Sequence, residues 1–155
     1  MTQGTYNQVN NSNLQKKRTI LVVDDNSDLL ASLQFTLILL GKMNVETATN
    51  GDDGLEKIMT LHPDCAVIDV KMSGLNGYQL VRAIRGDPST ASIPLIILSA
   101  LVQDKDQQIG FLSGADRYLT KPIKPQALIA AINDALQESD EVREERFRMM
   151  AELDH

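Results

Sequence analysis

Three aspartates, a serine and a lysine are the residues of this sequence best placed to do chemistry together. Asp24 and Asp25 follow the apolar run Thr19–Val23, and Asp69 follows Cys65-Ala66-Val67-Ile68. Ser99 closes the run Ile93–Leu98, and Lys121-Pro122 follows Arg117–Thr120. Carboxylates gathered in one place repel each other and couple their protonation, so positive charge must offset them. Oxygen-only ligands with no Cys or His cluster nearby favour a hard cation, Mg²⁺ or Mn²⁺, held by a few carboxylates and several waters. Lys121 adds a second positive charge and Ser99 a hydroxyl donor. A carboxylate to attack, a metal and a lysine to neutralise oxygens, and a hydroxyl to hold one of them make a site for a phosphoryl group. Taken singly, the same residues have duller explanations. Asp24 and Asp25 can cap the first helix, and an Asp at a strand end is commonly a turn residue. Their joint order, each at the carboxyl end of a predicted strand, argues for function.

The elements that must position them follow from periodicity. Thr19–Val23 is β-branched and stops abruptly at acid, as a buried parallel strand does. From Asn26, Leu29, Leu30, Leu33, Leu37 and Leu40 recur at helical spacing, with Gly41 as a C-terminal stop. A strand over Asn44 to Ala48 and a helix from Asp52 to Leu61 come next, ended by His62-Pro63. After the third strand, Ser73-Gly74-Leu75-Asn76-Gly77 opens a helix carrying Leu80, Val81 and Ile84. A fourth helix is expected over 103–112 and a fifth from Pro125. The alternation predicts an α/β fold: one five-stranded parallel sheet of order 2-1-3-4-5 with helices on both faces, a flavodoxin-like shape. That order sets strands 1 and 3 side by side, where ligands of such sheets bind.

Residues 1–17 read as a flexible polar tail, 18–137 as the folded domain, and 138–155 as a charged helical extension that frays rather than pairs in a coiled coil. The chain has 155 residues, 43% hydrophobic and only 4% aromatic, so its core must be largely aliphatic. A formal charge of −6 argues against direct nucleic-acid or anionic-membrane binding. No run is long enough to span a bilayer, and the single Cys65 fits a cytoplasmic location. Cys65 itself reads as a core thiol.

Ile20 to Asp25, Val67 to Gly77, Leu95 to Ala100 and Tyr118 to Pro122 together resemble the receiver domain of two-component response regulators, the CheY-like family. The resemblance covers Thr19 to Leu136 and implies the following. Asp69 is the phosphoacceptor, charged by a phosphohistidine on a sensor histidine kinase or phosphotransfer protein. Asp25, Asp69 and the Lys71 carbonyl ligate Mg²⁺, and Asp24 acts mostly through water. Lys121 contacts the phosphoryl oxygens, Ser99 swings in to bond one of them, and Tyr118 is the aromatic switch. The Lys121-Pro122 bond is cis. Output passes through the fourth helix, fifth strand and fifth helix to an effector protein, or to a second copy on phosphorylation. Such a protein is not an enzyme beyond catalysing its own phosphorylation and dephosphorylation. One departure is Ser73, where the family often has Pro. Lys71, two residues past Asp69, is expected to tune the phosphoryl lifetime. Competing expectations are a docking module that is never phosphorylated, a receiver fragment of a larger regulator, and an FMN-binding enzyme. The acidic first loop, which repels phosphate in the absence of metal, disfavours the last.

Overall fold

A computed structural model of the chain describes residues 16–100 and 114–153. The polar tail through residue 15, the helix expected over 103–112 and His155 lie outside the described residues. Five short runs form strands: β1 (Thr19–Val23), β2 (Asn44–Ala48), β3 (Cys65–Asp69), β4 (Leu95–Ser99) and β5 (Arg117–Thr120). All pair in parallel in the order β2-β1-β3-β4-β5. Five helices are described: α1 (Ser27–Leu39), α2 (Gly51–Leu61), α3 (Gly77–Gly86), α4 (Pro125–Gln137) and α5 (Asp140–Leu153).

Successive strand side chains point to opposite faces, and the inner strands are apolar on both, so the sheet divides two cores. Ile20, Val22, Cys65, Val67, Ile96 and Leu98 pack toward α1 and α4. Leu21, Val23, Ala66, Ile68, Leu95 and Ile97 pack toward α2 and α3. β2 and β5 are the edges, and β5 is half-buried along its whole length.

Local chemistry shifts several expected boundaries. β4 begins at Leu95 rather than Ile93, because Pro94 has no N–H to give the ladder and offers only its carbonyl, to Ala66 N at 3.0 Å. α1 stops at Leu39, and the left-handed residue after it is Lys42 (φ 55°), not Gly41. Gly41 is needed for space instead: a Cβ there would lie 2.8 Å from the Leu37 carbonyl oxygen. α2 ends before His62-Pro63 as expected, with His62 closing it in the left-handed conformation.

The C-terminal extension is helical over Asp140–Leu153. α5 folds back on the body through Arg143 and Arg146, which both reach Asp116 just before β5. No helix among the described residues is long and apolar enough to cross a membrane.

Candidate functional site

Every strand of a parallel sheet ends at the same rim, and here that rim gathers the predicted residues. Val23 is level with Ile68 across β1 and β3, so Asp24 and Asp69 emerge side by side. Asp69 is level with Leu98, and Ser99 with Thr120, which puts Lys121 one residue beyond at the same end. Lys121 N donates to the Ser99 carbonyl at 2.7 Å and so fixes the start of the last turn. The peptide bond that follows, Lys121-Pro122, is cis.

Asp24 and Asp25 do not cap α1. Asn26 does, its side-chain oxygen accepting from Asp28 N and Leu29 N at 3.1 Å each. Asp24 instead folds inward at 1% exposure, one oxygen accepting Asn26 N at 2.9 Å and the other facing Lys121 Nζ at 3.2 Å. Asp25 stays exposed. Asp69 is buried, and its Oδ1 lies 3.1 Å from Lys121 Nζ. One ligand oxygen from each of Asp24, Asp25 and Asp69 lies within 4.8 Å of the others, a spacing that could hold a metal ion. The donor set is all oxygen, one carboxylate reaches solvent, and Lys121 pairs with Asp24 and Asp69. That composition fits a hard divalent cation.

The electrostatics follow from this crowding. Burial, and then the charge of Asp24, push the Asp69 carboxyl above its ordinary range, although Lys121 opposes them. Burial pulls Lys121 down, but its bond to Asp69 and the two carboxylate charges outweigh that and hold it above an ordinary lysine.

Close packing holds the end of β3 in place. Gly77 N donates to the Val70 carbonyl at 3.0 Å, and a Cβ on Gly77 would sit 2.3 Å from the Asp69 carbonyl oxygen. Only glycine lets α3 start this close to the end of β3. The Asn76 side chain caps that helix through Gln79 N, and Gln79 returns the bond to Asn76 N, both at 2.9 Å.

Ser99 is buried at 1% exposure. Ile97 is level with Tyr118 and Ser99 with Thr120, so all four side chains share the α2/α3 face. Tyr118 is half-buried against that core. Lys71 is exposed at the start of the loop after β3.

Sequence reasoning missed a second charged centre at the opposite rim, where the strands begin. Asp116, 2% exposed, accepts from Arg85 at 2.7 Å, Arg143 at 2.7 Å, Arg146 at 2.8 Å and Leu95 N at 2.8 Å. Glu138 extends it, bonded to Arg117 at 2.6 Å and Arg146 at 2.8 Å. The Phe147 ring lies against the guanidinium groups, with Arg146 at 4.7 Å from its centroid. Burial pushes the Asp116 carboxyl up, but the hydrogen bonds and charges of its partners prevail and leave it below the usual carboxylate range. The visible hint was the Arg143/Arg146 spacing, which puts both on one helix face.

A five-stranded parallel sheet of order 2-1-3-4-5 with an acid-and-lysine rim defines a CheY-like receiver. The family model for the response regulator receiver domain matches residues 20–133, and the chain belongs to that family of two-component systems. The DNA-binding response regulator MtrA of Mycolicibacterium paratuberculosis is 35% identical over 127 residues, 81% of this chain and 54% of that protein. The receiver domain of the Francisella response regulator 1452 superposes with a TM-score of 0.73 at 31% identity, covering 78% of this chain and 98% of that one. The chemotaxis response regulator CheY4 of Vibrio cholerae gives 0.73 at 28% identity, covering 77% and 99%. The chain spans about half the length of the curated relatives it matches.

Proposed function

We propose that this chain is a phosphoacceptor switch. Asp69 takes a phosphoryl group from a phosphohistidine donor, and the change at the rim passes to a separate effector protein. One observation carries the reading: Lys121 Nζ bridges Asp69 and Asp24, at 3.1 and 3.2 Å, inside a three-carboxylate cluster at the C-terminal rim. In the transfer, an Asp69 oxygen forms a bond to phosphorus while the phosphorus–nitrogen bond of the donor breaks, and the imidazole leaves. Asp25 and Asp69, with the Lys71 carbonyl, would hold Mg²⁺ or Mn²⁺, and Asp24 would act through water. The cation, when bound, supplies charge to offset the phosphoryl oxygens. Lys121 neutralises a further oxygen and Ser99 donates its hydroxyl to another. The protein then catalyses no reaction beyond gaining and losing that group.

Intact mass after incubation with acetyl phosphate and Mg²⁺ tests the reading. The expected result is one phosphoryl adduct, lost when the cation is chelated. No adduct with either acetyl phosphate or a cognate kinase would favour a docking module that works unphosphorylated.

Phosphorylation brings about −1.5 to −2 charge and three acceptor oxygens to a packed rim. Ser99 moving toward them vacates space on the face it shares with Tyr118. Tyr118 turning inward would carry the change to the surface around β5 and α4. A Tyr118→Ala variant is therefore expected to accept phosphate normally and to bind its effector at least about tenfold more weakly, the loss of an aromatic anchor. Effector affinity equal to wild type, by titration calorimetry, would remove Tyr118 from the mechanism. The MtrA relative is DNA-binding by name; for the residues of this chain, at a formal charge of −6, output to protein is the reading proposed.

A further inference from the structure

Two exposed apolar patches lie at the rim where the strands begin, opposite the acidic cluster, and their charged borders have opposite sign. The first is on α1. Phe35, Ile38 and Leu39 share one helix face at i, i+3 and i+4, and Leu40 follows. Phe35 is 67% exposed. Just past the end of this helix, Lys16, Lys17, Arg18 and Lys42 line one basin of about 360 Å³ with Gly41, Met43 and Asn133. The basin is at the strand-start rim because Asn44 N, at the head of β2, donates to the Arg18 carbonyl next to β1.

The second patch is on α5. Val142, Met149 and Leu153 fall on one stripe at i, i+7 and i+11, all exposed, with Leu153 at 74%. Glu141 and Glu145 line the same shallow groove with Arg146, which is turned to Asp116 and Glu138. Arg148 pairs with Glu145, and the helix keeps an acidic balance of five acids (Asp140, Glu141, Glu144, Glu145, Glu152) to three arginines. The Asp116 centre fixes this helix to the same rim, since Asp116 also binds Leu95 N at the head of β4.

An apolar patch with a basic border and another with an acidic border, on one end of one molecule, complement each other between two copies. Within a copy, α5 is tied to Asp116 through Arg143 and Arg146. A two-fold axis through the rim brings both contacts together at once: α5 of each copy lies on α1 of the other, and the interface closes. Charged borders of opposite sign fix the orientation, while the apolar patches supply the affinity. We propose that this face pairs two copies of the chain end to end, with both acidic rims facing outward. The pairing does not depend on the phosphoacceptor reading, and it leaves that site and the β5 surface free.

Sedimentation velocity of the full chain over a concentration series tests it. The expected result is a monomer–dimer equilibrium that persists in Asp69→Asn and without acetyl phosphate. Lys42→Glu and Glu145→Lys, both at exposed positions, should each weaken the dimer at least about tenfold. Mixing the two variants should restore it, because in the mixed dimer one contact carries both reversed charges, again opposite in sign, and the other contact is wild type. Met149→Asp should give a monomer, with circular dichroism unchanged. A wild-type monomer at all concentrations, a dimer formed only on phosphorylation, or variants that do not complement on mixing would each overturn the proposal.

Discussion

Replacing Asp69 with asparagine is expected to abolish the phosphoryl adduct and, without divalent metal, to stabilise the fold by about 1 kcal/mol. The first effect follows from chemistry: the amide keeps the shape of the carboxylate but is too weak a nucleophile to attack phosphorus. The second follows from the crowding at the rim. Burial and the Asp24 charge raise the Asp69 carboxyl above its ordinary range. A carboxyl whose pKa is higher folded than unfolded binds more protons in the native state, so its ionisation opposes folding. That penalty is absent below an unfolded aspartate value of about 3.9 and complete above the folded one. The stability gained by Asp69→Asn should therefore be full above the folded pKa of Asp69 and shrink as pH falls through it. Added Mg²⁺ should raise wild-type stability more than that of the variant, because it binds the charged native cluster. Urea unfolding at several pH values, with and without Mg²⁺, reads both effects. An adduct of equal yield on the variant would move the acceptor elsewhere. A variant less stable than wild type at pH 7.5 would mean that the Lys121 contact outweighs the repulsion.

Asp116→Ala is expected to be the most damaging single change outside the acidic rim, costing about 3–5 kcal/mol. It would strand Arg85 and Arg143, both largely buried on their Asp116 side, and leave Leu95 N without its acceptor. The larger share of the cost is the charge left unpaired rather than any single bond lost. Arg143 and Arg146 tie α5 down through this one carboxylate, so amide exchange along 140–153 should accelerate before the sheet opens. The pH dependence has the opposite sign to that of Asp69. The folded pKa of Asp116 is depressed, so its stabilisation is present above the unfolded value and is lost only as pH falls through the lower folded one. α5 should stay docked through the mildly acidic range. Exchange rates in α5 that do not change in Asp116→Ala would show that Phe147 packing and the Glu138 bonds suffice.

The fold was legible because its strands are short aliphatic runs that stop at acid, and because the helices between them repeat at their own period. The site was legible for the same reason: a parallel sheet delivers every strand's end to one rim, so Asp24, Asp69, Ser99 and Lys121 converge once the strand order is known. What was not legible depended on contacts far apart in sequence or on backbone detail. The run Asp24-Asp25-Asn26-Ser27-Asp28 offers several residues able to cap a helix, and only the extended conformation of Asn26 selects one. The missing N–H of Pro94 trims β4 in a way apolarity does not reveal. The Asp116 centre joins residues 27 to 31 positions apart through charge alone. No period in the sequence announces such a contact, and a tail of mixed charge reads as solvated until its buried partner is found.

The lone cysteine makes the sheet its own clock. Cys65 is fully buried in β3 between two neighbouring strands, and burial pushes its thiol far above the ordinary range, so almost none of it is thiolate in the closed protein. A thiol reagent can meet it only when the centre of the domain opens. The rate of labelling at one sulfur then counts those openings, and the same count taken with and without the phosphoryl group would show how far a charge placed at the rim slows the breathing of the core.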